Sequence, residues 1–187
     1  MQVPQTFVDV ATKPELANIH TIIVDSLTFM MEMYESQYVL PSTNTQAAWG
    51  DFQQFFKELM QVHVAKCRCN VIFIAHTYAE LNEATGLFSS FVPVKGALKK
   101  NGIEAYFTTV VHAKRMPLIK LKDYSSDLLH INEEEQIVGF TYVYQTRVTK
   151  ETVEDRIRGP KGLFSVQQTF MDNDAQLLLD HLDNFYA

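Results

Sequence analysis

Two short apolar runs rich in β-branched residues stand out along the chain, His20–Asp25 (HTIIVD) and Asn70–Ala75 (NVIFIA). Both read as strands buried on two faces, and both end in polar residues, Asp25-Ser26 and His76-Thr77. Between them Ser26–Tyr34 carries no Gly or Pro and reads as helix, and Ser36–Thr45 has a loop composition. From Gln46 to about Lys66, Trp49, Phe52, Phe56, Leu59, Met60 and His63 recur at offsets of three and four, one apolar helical stripe. Thr77–Val94, with Gly86, Ser89, Ser90 and Pro93, is expected to be irregular, and Lys95–Gly102 a short helix. Ala105–Val111 and Gln136–Arg147 are β-rich, with Asp123–Glu135 as a polar turn or hairpin between them. Asp172–Phe185 predicts a closing amphipathic helix, capped by Asn173 or Asp174. Strands joined by a helical crossover must pair in parallel with a right-handed connection. The expectation is an α/β fold with the carboxyl ends of both strands on one edge, where ligands bind in such sheets.

Composition narrows this picture. A chain of 187 residues with 47% hydrophobic content predicts one domain over residues 1–187 with a sizeable core. The apolar runs are too short to span a bilayer, and MQVPQTFVDVATKPE lacks the basic start and apolar stretch of a secretory signal, so a soluble cytoplasmic protein without membrane partners is expected. Cys67 and Cys69 are too few for a disulfide framework or a closed zinc site. One residue apart, they are expected on opposite faces of a strand, in structural use.

The net charge of −6 argues against a generic nucleic-acid binder, but the charge is uneven. Residues 1–60 hold 2 basic and 7 acidic side chains (net −5), residues 61–122 hold 9 and 3 (net +6), and residues 123–187 hold 5 and 12 (net −7). A basic middle in an acidic chain suits a local anionic partner, and its plainer explanation is chance clustering on a solvated face.

The strand ends carry the chemistry. An Asp after four apolar β residues offers a hard anionic oxygen to magnesium, directly or through water, with Ser26 to share or orient it. The competing role is a carboxylate capping the next helix. His76 is placed to touch a terminal phosphate, against the plainer role of a strand-end histidine facing solvent. Glu80 and Glu83, which follow it, are placed to polarise water, against the plainer role of loop carboxylates in solvent. His112 and His130 lack ligand-spaced partners, and Tyr106 and Phe107 suit base stacking or the core.

In their order these stretches resemble the RecA-like recombinase ATPase family, especially its small phage-encoded members. HTIIVDSLTFM resembles the Walker B strand and its turn, and AWGDFQQFFKELM the helix after the first DNA-binding loop. NVIFIAHT resembles the strand ending in the γ-phosphate sensor, and KGALKKNGIEAYFTTVVHAKRM the helix and strand after the second DNA-binding loop. VYQTRVTKETVEDRIRGP resembles the late strand and basic turn that reach a neighbouring subunit's nucleotide. Residues 18–165 are covered. The resemblance implies a three-layer fold with a largely parallel central sheet and an antiparallel C-terminal portion. It implies ATP and Mg2+ as cofactors, with Asp25 holding the metal through water and Ser26 assisting, His76 sensing the γ-phosphate and Arg156 reaching a neighbour's nucleotide; the family's own catalytic glutamate would lie upstream, and Glu80 is the catalytic candidate that this chain itself offers. It places Lys95, Lys99, Lys100, Lys114 and Arg115 against single-stranded DNA, in a homo-oligomer or filament, in the host cytoplasm if phage-encoded.

One departure is large. The phosphate loop G-x-x-x-x-G-K-[ST] is absent, no Gly-Lys dipeptide occurs, and 19 residues precede the first strand. The expectation is therefore a core truncated at its N-terminus, completed by a P-loop segment encoded upstream. The alternative is a degenerate, non-hydrolysing module that binds DNA or a protein partner.

Overall fold

The computed structural model describes residues 3–95, 98 and 102–187. The chain divides into two compact units, residues 1–78 with 91–106 and residues 79–90 with 107–187.

The first unit opens with helix α1 (Val3–Thr12), which the sequence pattern did not announce and which buries Phe7. Strand β1 (Thr21–Asp25) leads into α2 (Leu27–Tyr34), which closes in a π-helical turn at Glu35–Val39 where a loop was expected. Helix α3 (Thr45–Glu58) is capped by Asn44, whose side chain accepts from the Ala47 N–H at 3.0 Å. It continues through a π turn at Leu59–His63 and a 3₁₀ turn at Val64–Lys66. The expected stripe is the buried one: Phe52, Phe56, Leu59 and Met60 are all buried, together with Ala48. Tyr34 packs on Phe52 at 4.9 Å between ring centroids, and Tyr106 meets Phe56 edge-on at 5.4 Å.

Strand β2 (Asn70–Ile74) pairs in parallel with β1, Thr21 opposite Asn70 and Asp25 opposite Ile74. The parallel pair joined by a helical crossover is thus as expected.

The second unit holds most of a hairpin in the segment expected to be irregular. Strands β3 (Tyr78–Asn82) and β4 (Leu87–Phe91) pair in a two-stranded sheet across a turn where Gly86 takes φ +68° and donates to Asn82 O. The hairpin is held by segment 154–156: Asn82 and Thr85 donate to the Glu154 carboxylate, and the Ser90 N–H donates to Asp155 at 2.9 Å.

The main sheet of this unit is antiparallel, in the order β5–β6–β7, from β5 (His112–Pro117), β6 (Phe140–Gln145) and β7 (Phe170–Asp172). One face packs Val143 and Phe170 with Leu121, Met116 and Tyr124. Met171, Leu128, Leu163 and Phe164 form a second cluster, covered by Leu177, Leu178 and Leu182 of α5 (Ala175–Tyr186). Asp174 caps α5, accepting from the Gln176 and Leu177 N–H groups, one of the two caps expected. Helix α4 (Glu133–Val138) lies where a turn and the start of a strand were expected, and it rests on a capping box between Asn132 and Glu135.

The expected largely parallel central sheet in a three-layer fold is not what the chain forms. Among the described residues, its strands fall into one two-stranded parallel sheet, one two-stranded hairpin and one three-stranded antiparallel sheet. The β-rich segment Ala105–Val111 supplies no further parallel strand: it opens inside the 3₁₀ turn Glu104–Tyr106 and makes one isolated bridge, Val110 to Arg158. The strand begins only at His112, where β6 offers a partner edge. The expected helix Lys95–Gly102 falls largely on residues outside the described ones.

Candidate functional site

The carboxyl edge of the β1–β2 pair brings together three of the residues singled out by sequence. Parallel register places Asp25 beside Ile74, so Asp25 and His76 leave the sheet at the same end. Asp25 and His76 are exposed, and Ser26 is buried. The Asp25–Ser26 peptide is cis. Ser26 caps α2, its hydroxyl accepting from the Phe29 N–H at 3.3 Å. The capping weighed for Asp25 therefore falls to its neighbour, and the Asp25 carboxylate faces water.

Thr28, which the sequence reading did not single out, locks the edge. Its buried hydroxyl accepts from the His76 backbone N–H at 3.0 Å, tying the exit of β2 to the first turn of α2. The His76 ring stands edge-on to Phe29 at 5.7 Å. Threonine one residue inside a serine cap was the available signal, but nothing local says that its partner lies 48 residues away.

The remaining candidates are distributed elsewhere. Lys95 belongs to the first unit, where its ammonium meets the Glu35 carboxylate at 2.6 Å and lies 5.9 Å from the Trp49 ring. Glu80, Arg115 and Arg156 belong to the second unit. Glu80 is exposed on β3. The Arg115 guanidinium covers the Phe140 ring at 5.2 Å. The Arg156 backbone N–H donates to Ser90 O at 3.2 Å. Lys114 meets the buried Asp155 at 3.5 Å, as does His112 through Nδ1. Lys99 and Lys100 lie outside the described residues.

Magnesium prefers oxygen donors, keeps several waters and takes one or two protein carboxylates beside substrate phosphates. Asp25 suits that water-mediated hold. The cradle of backbone N–H groups that surrounds nucleotide phosphates is a separate requirement, and the sequence holds no such loop. Among the described residues, no group of three or more His, Cys, Asp or Glu is placed to hold a metal ion. The edge thus offers one exposed carboxylate, and the sequence holds no phosphate cradle.

No family model matches the chain, and no curated protein or solved structure matches it.

A second polar site lies wholly in the second unit. An open cleft of about 630 Å³ is lined by His130, Asn132, Glu135, Tyr142, Asp172 and Asp174, among others. Asp172 holds His130 twice, accepting its backbone N–H at 2.8 Å and meeting ring Nδ1 at 2.7 Å. These residues lie 42 apart in sequence, so spacing gave His130 no partner. Among the described residues no helix is long and apolar enough to cross a membrane.

Proposed function

We propose that the β1–β2 edge is the magnesium and terminal-phosphate side of an ATP site, in a protein that acts on single-stranded DNA in recombination or annealing. The observation that supports this is the parallel register, which puts an exposed carboxylate and an exposed histidine on one strand edge with the histidine backbone pinned by Thr28. Asp25 would hold magnesium through water, and His76 would face the terminal phosphate. The phosphate cradle comes from another segment, encoded upstream or carried by a partner, and assembly into an oligomer or filament would bring such parts together.

A titration of the chain with Mg·ATP, with and without single-stranded DNA, tests this reading. Magnesium-dependent binding is expected, weakened at least about tenfold, or ~1.4 kcal/mol, by Asp25→Ala. Turnover by the chain alone is expected to be weak or absent, because without the ring of N–H groups and the lysine the developing phosphate charge goes unstabilised. Binding unchanged in Asp25→Ala rejects the assignment.

A second reading, a non-hydrolysing module that binds DNA or a protein, is favoured by a different observation. Ile23 and Ile74 of the parallel pair remain exposed, as an unfilled interaction surface would leave them. Absence of Mg·ATP binding alongside retained DNA or protein binding selects it.

A further inference from the structure

The open cleft of the second unit is built around His130, which the fold holds by a clamp of three bonds. The Asp172 N–H donates to Leu128 O at 2.8 Å, and the Asp172 carboxylate accepts the His130 N–H at 2.8 Å and meets ring Nδ1 at 2.7 Å. Asp172 stands opposite Val143 in the β6–β7 ladder and follows the buried Met171, so the clamp rests on the core of the sheet. An ionised carboxylate only accepts, so Nδ1 carries the ring hydrogen and Nε2 keeps its lone pair. The ring is open to solvent, its side chain 69% exposed, and among the described residues nothing bonds to Nε2. His181, by contrast, spends its Nε2 on Leu163 O, and His112 is buried against Asp155. The other carboxylates of the cleft are engaged: Glu135 accepts the Asn132 N–H and the Thr141 hydroxyl, and Asp174 accepts two N–H groups of α5. Among the described residues no lysine or arginine lines the cleft, so its charge turns anions away and leaves it open to uncharged molecules. Asn132 uses its Oδ1 to cap α4, which leaves its NH2, with the Tyr142 hydroxyl, as side-chain donors lining the same cleft.

We propose that His130 Nε2 is a nucleophile for acyl transfer from uncharged activated acyl compounds, aryl esters among them, with Asp172 as its positioning residue. The Nε2 lone pair attacks the carbonyl carbon, and the C=O π pair moves to oxygen. Collapse of this adduct breaks the bond to the leaving group, which departs as an anion with the bonding pair. The ring, acylated at Nε2 and still protonated at Nδ1, then carries one positive charge, which the Asp172 carboxylate offsets at 2.7 Å. Water attacks the acyl carbon, the N–C bond breaks with its pair returning to Nε2, and the carboxylic acid leaves. The proton that water sheds passes to the leaving-group anion. In sum, one ester and one water give one acid and one alcohol, and the ring is regenerated. The Asn132 amide and the Tyr142 hydroxyl are the donors the cleft offers to the oxyanion. The site lies in the second unit, so it stands apart from the reading of the β1–β2 edge.

Diethyl pyrocarbonate, an uncharged acylating agent, tests this on the full chain. With the reagent limiting, peptide mapping gives the rate at each histidine, and the exposed His20 and His76 serve as references in the same molecule. His130 is expected to be acylated about tenfold or more faster than either. Long-range proton–nitrogen NMR in mildly alkaline buffer reads the ring directly, and the natural chain should show hydrogen on Nδ1 and none on Nε2. In Asp172→Asn the amide oxygen can keep the His130 backbone N–H while its NH2 faces Nδ1, so the hydrogen moves to Nε2 and the rate advantage disappears. Release of p-nitrophenol from p-nitrophenyl acetate should fall about tenfold in His130→Ala, which removes an exposed side chain and leaves the core intact. Circular dichroism checks both variants, and should one fail to fold, the natural chain's rates and ring hydrogen still decide. His130 reacting no faster than His20 and His76, hydrogen on Nε2 of the natural chain, or ester hydrolysis unchanged in His130→Ala would each overturn the proposal.

Discussion

In the parallel pair, Ile23 is 59% exposed and Ile74 44%, whereas in the antiparallel sheet Val143 and Met171 are completely buried. The strands of the pair have the more uniformly apolar sequences, TIIVD and NVIFI, against FTYVYQ for β6. Apolar content therefore does not decide burial. What decides it is whether something packs on each face. The β1–β2 pair has Ile22 buried on one face, while Ile23 points to the other and stays in water. Strand β6 alternates cleanly: Thr141, Val143 and Gln145 turn inward and Tyr142 outward. Its buried polar groups are satisfied, Gln145 donating to Arg147 O and Thr152 Oγ1, and Thr141 to Glu135.

The sharpest way to break this contrast is to truncate one residue in each sheet. Met171→Ala removes a side chain enclosed by Leu128, Leu163 and Phe164 and should cost about 2–5 kcal/mol. Ile23→Ala removes a side chain already in water and should fall within roughly 0.5 kcal/mol of the natural chain. Urea unfolding of both variants measures the difference. Equal losses would mean that the exposed face of the parallel pair is covered in solution.

The helix caps sharpen the comparison at a smaller scale. Asp174 accepts two N–H groups at the start of α5, the helix that covers the antiparallel core, and Asp174→Ala should cost ~1 kcal/mol. Asp174→Asn should recover most of it, since the amide oxygen still caps. If Asn fails where Asp succeeds, the carboxylate charge at the helix start, rather than its hydrogen bonds, carries the effect.

How far these features were legible depends on the range of the interaction that makes them. The parallel pair, the α3 stripe and the Asp174 cap follow from neighbours within a turn or from an unavoidable crossover. Helix α4 was legible in principle, since Asn132 and Glu135 have capping-box spacing and Gly139 follows in the left-handed conformation, but the glutamate run reads equally as a polar turn. The Tyr78–Phe91 hairpin was hidden because its anchors, Glu154 and Asp155, arrive some seventy residues later. At the candidate site, Asp25, Ser26 and His76 were visible as strand ends. Thr28 was not, because its bond to His76 exists only once the strands pair.

Whether the first unit meets DNA can be tested through Lys95. Its ammonium already meets Glu35, with the Lys side chain 55% exposed, so Lys95→Ala should change stability by no more than ~1 kcal/mol. If single-stranded DNA binds, this variant alone should flatten the salt dependence by less than the ~0.7 expected per free phosphate contact. Replacing Lys95, Lys99 and Lys100 together should lower the slope by about 2 if they meet DNA phosphates. An unchanged slope in the triple variant assigns these lysines to solubility and removes DNA from the basic middle of the chain.

The smallest effects lie at alkaline pH, where the two units can be titrated separately. Tyr144, packed against the Met171 cluster, has its phenol pushed up, first by burial and then by the negative charge of Asp174. Tyr34 in the first unit is pushed up by burial and then by Asp51 and Tyr38. A phenol whose proton is held more tightly in the folded chain than in the unfolded one contributes stability that is complete below the unfolded value of about 10. That contribution is lost as pH rises toward the folded value, because the unfolded chain releases its proton first. Cys67 acts with the same sign, and replacing a tyrosine leaves its share untouched. Phenylalanine cannot ionise, so Tyr144→Phe should lose less stability than the natural chain as pH rises past about 10, while the two curves run parallel well below that pH. Tyr34→Phe should do the same in the first unit. Urea midpoints across that range, read by tryptophan fluorescence for the unit holding Trp49 and by circular dichroism for the whole chain, measure both. Curves that stay parallel through the alkaline range would show that Tyr144 is as well hydrated when folded as when unfolded, and its place against the Met171 cluster would then be looser than the packing of α5 implies.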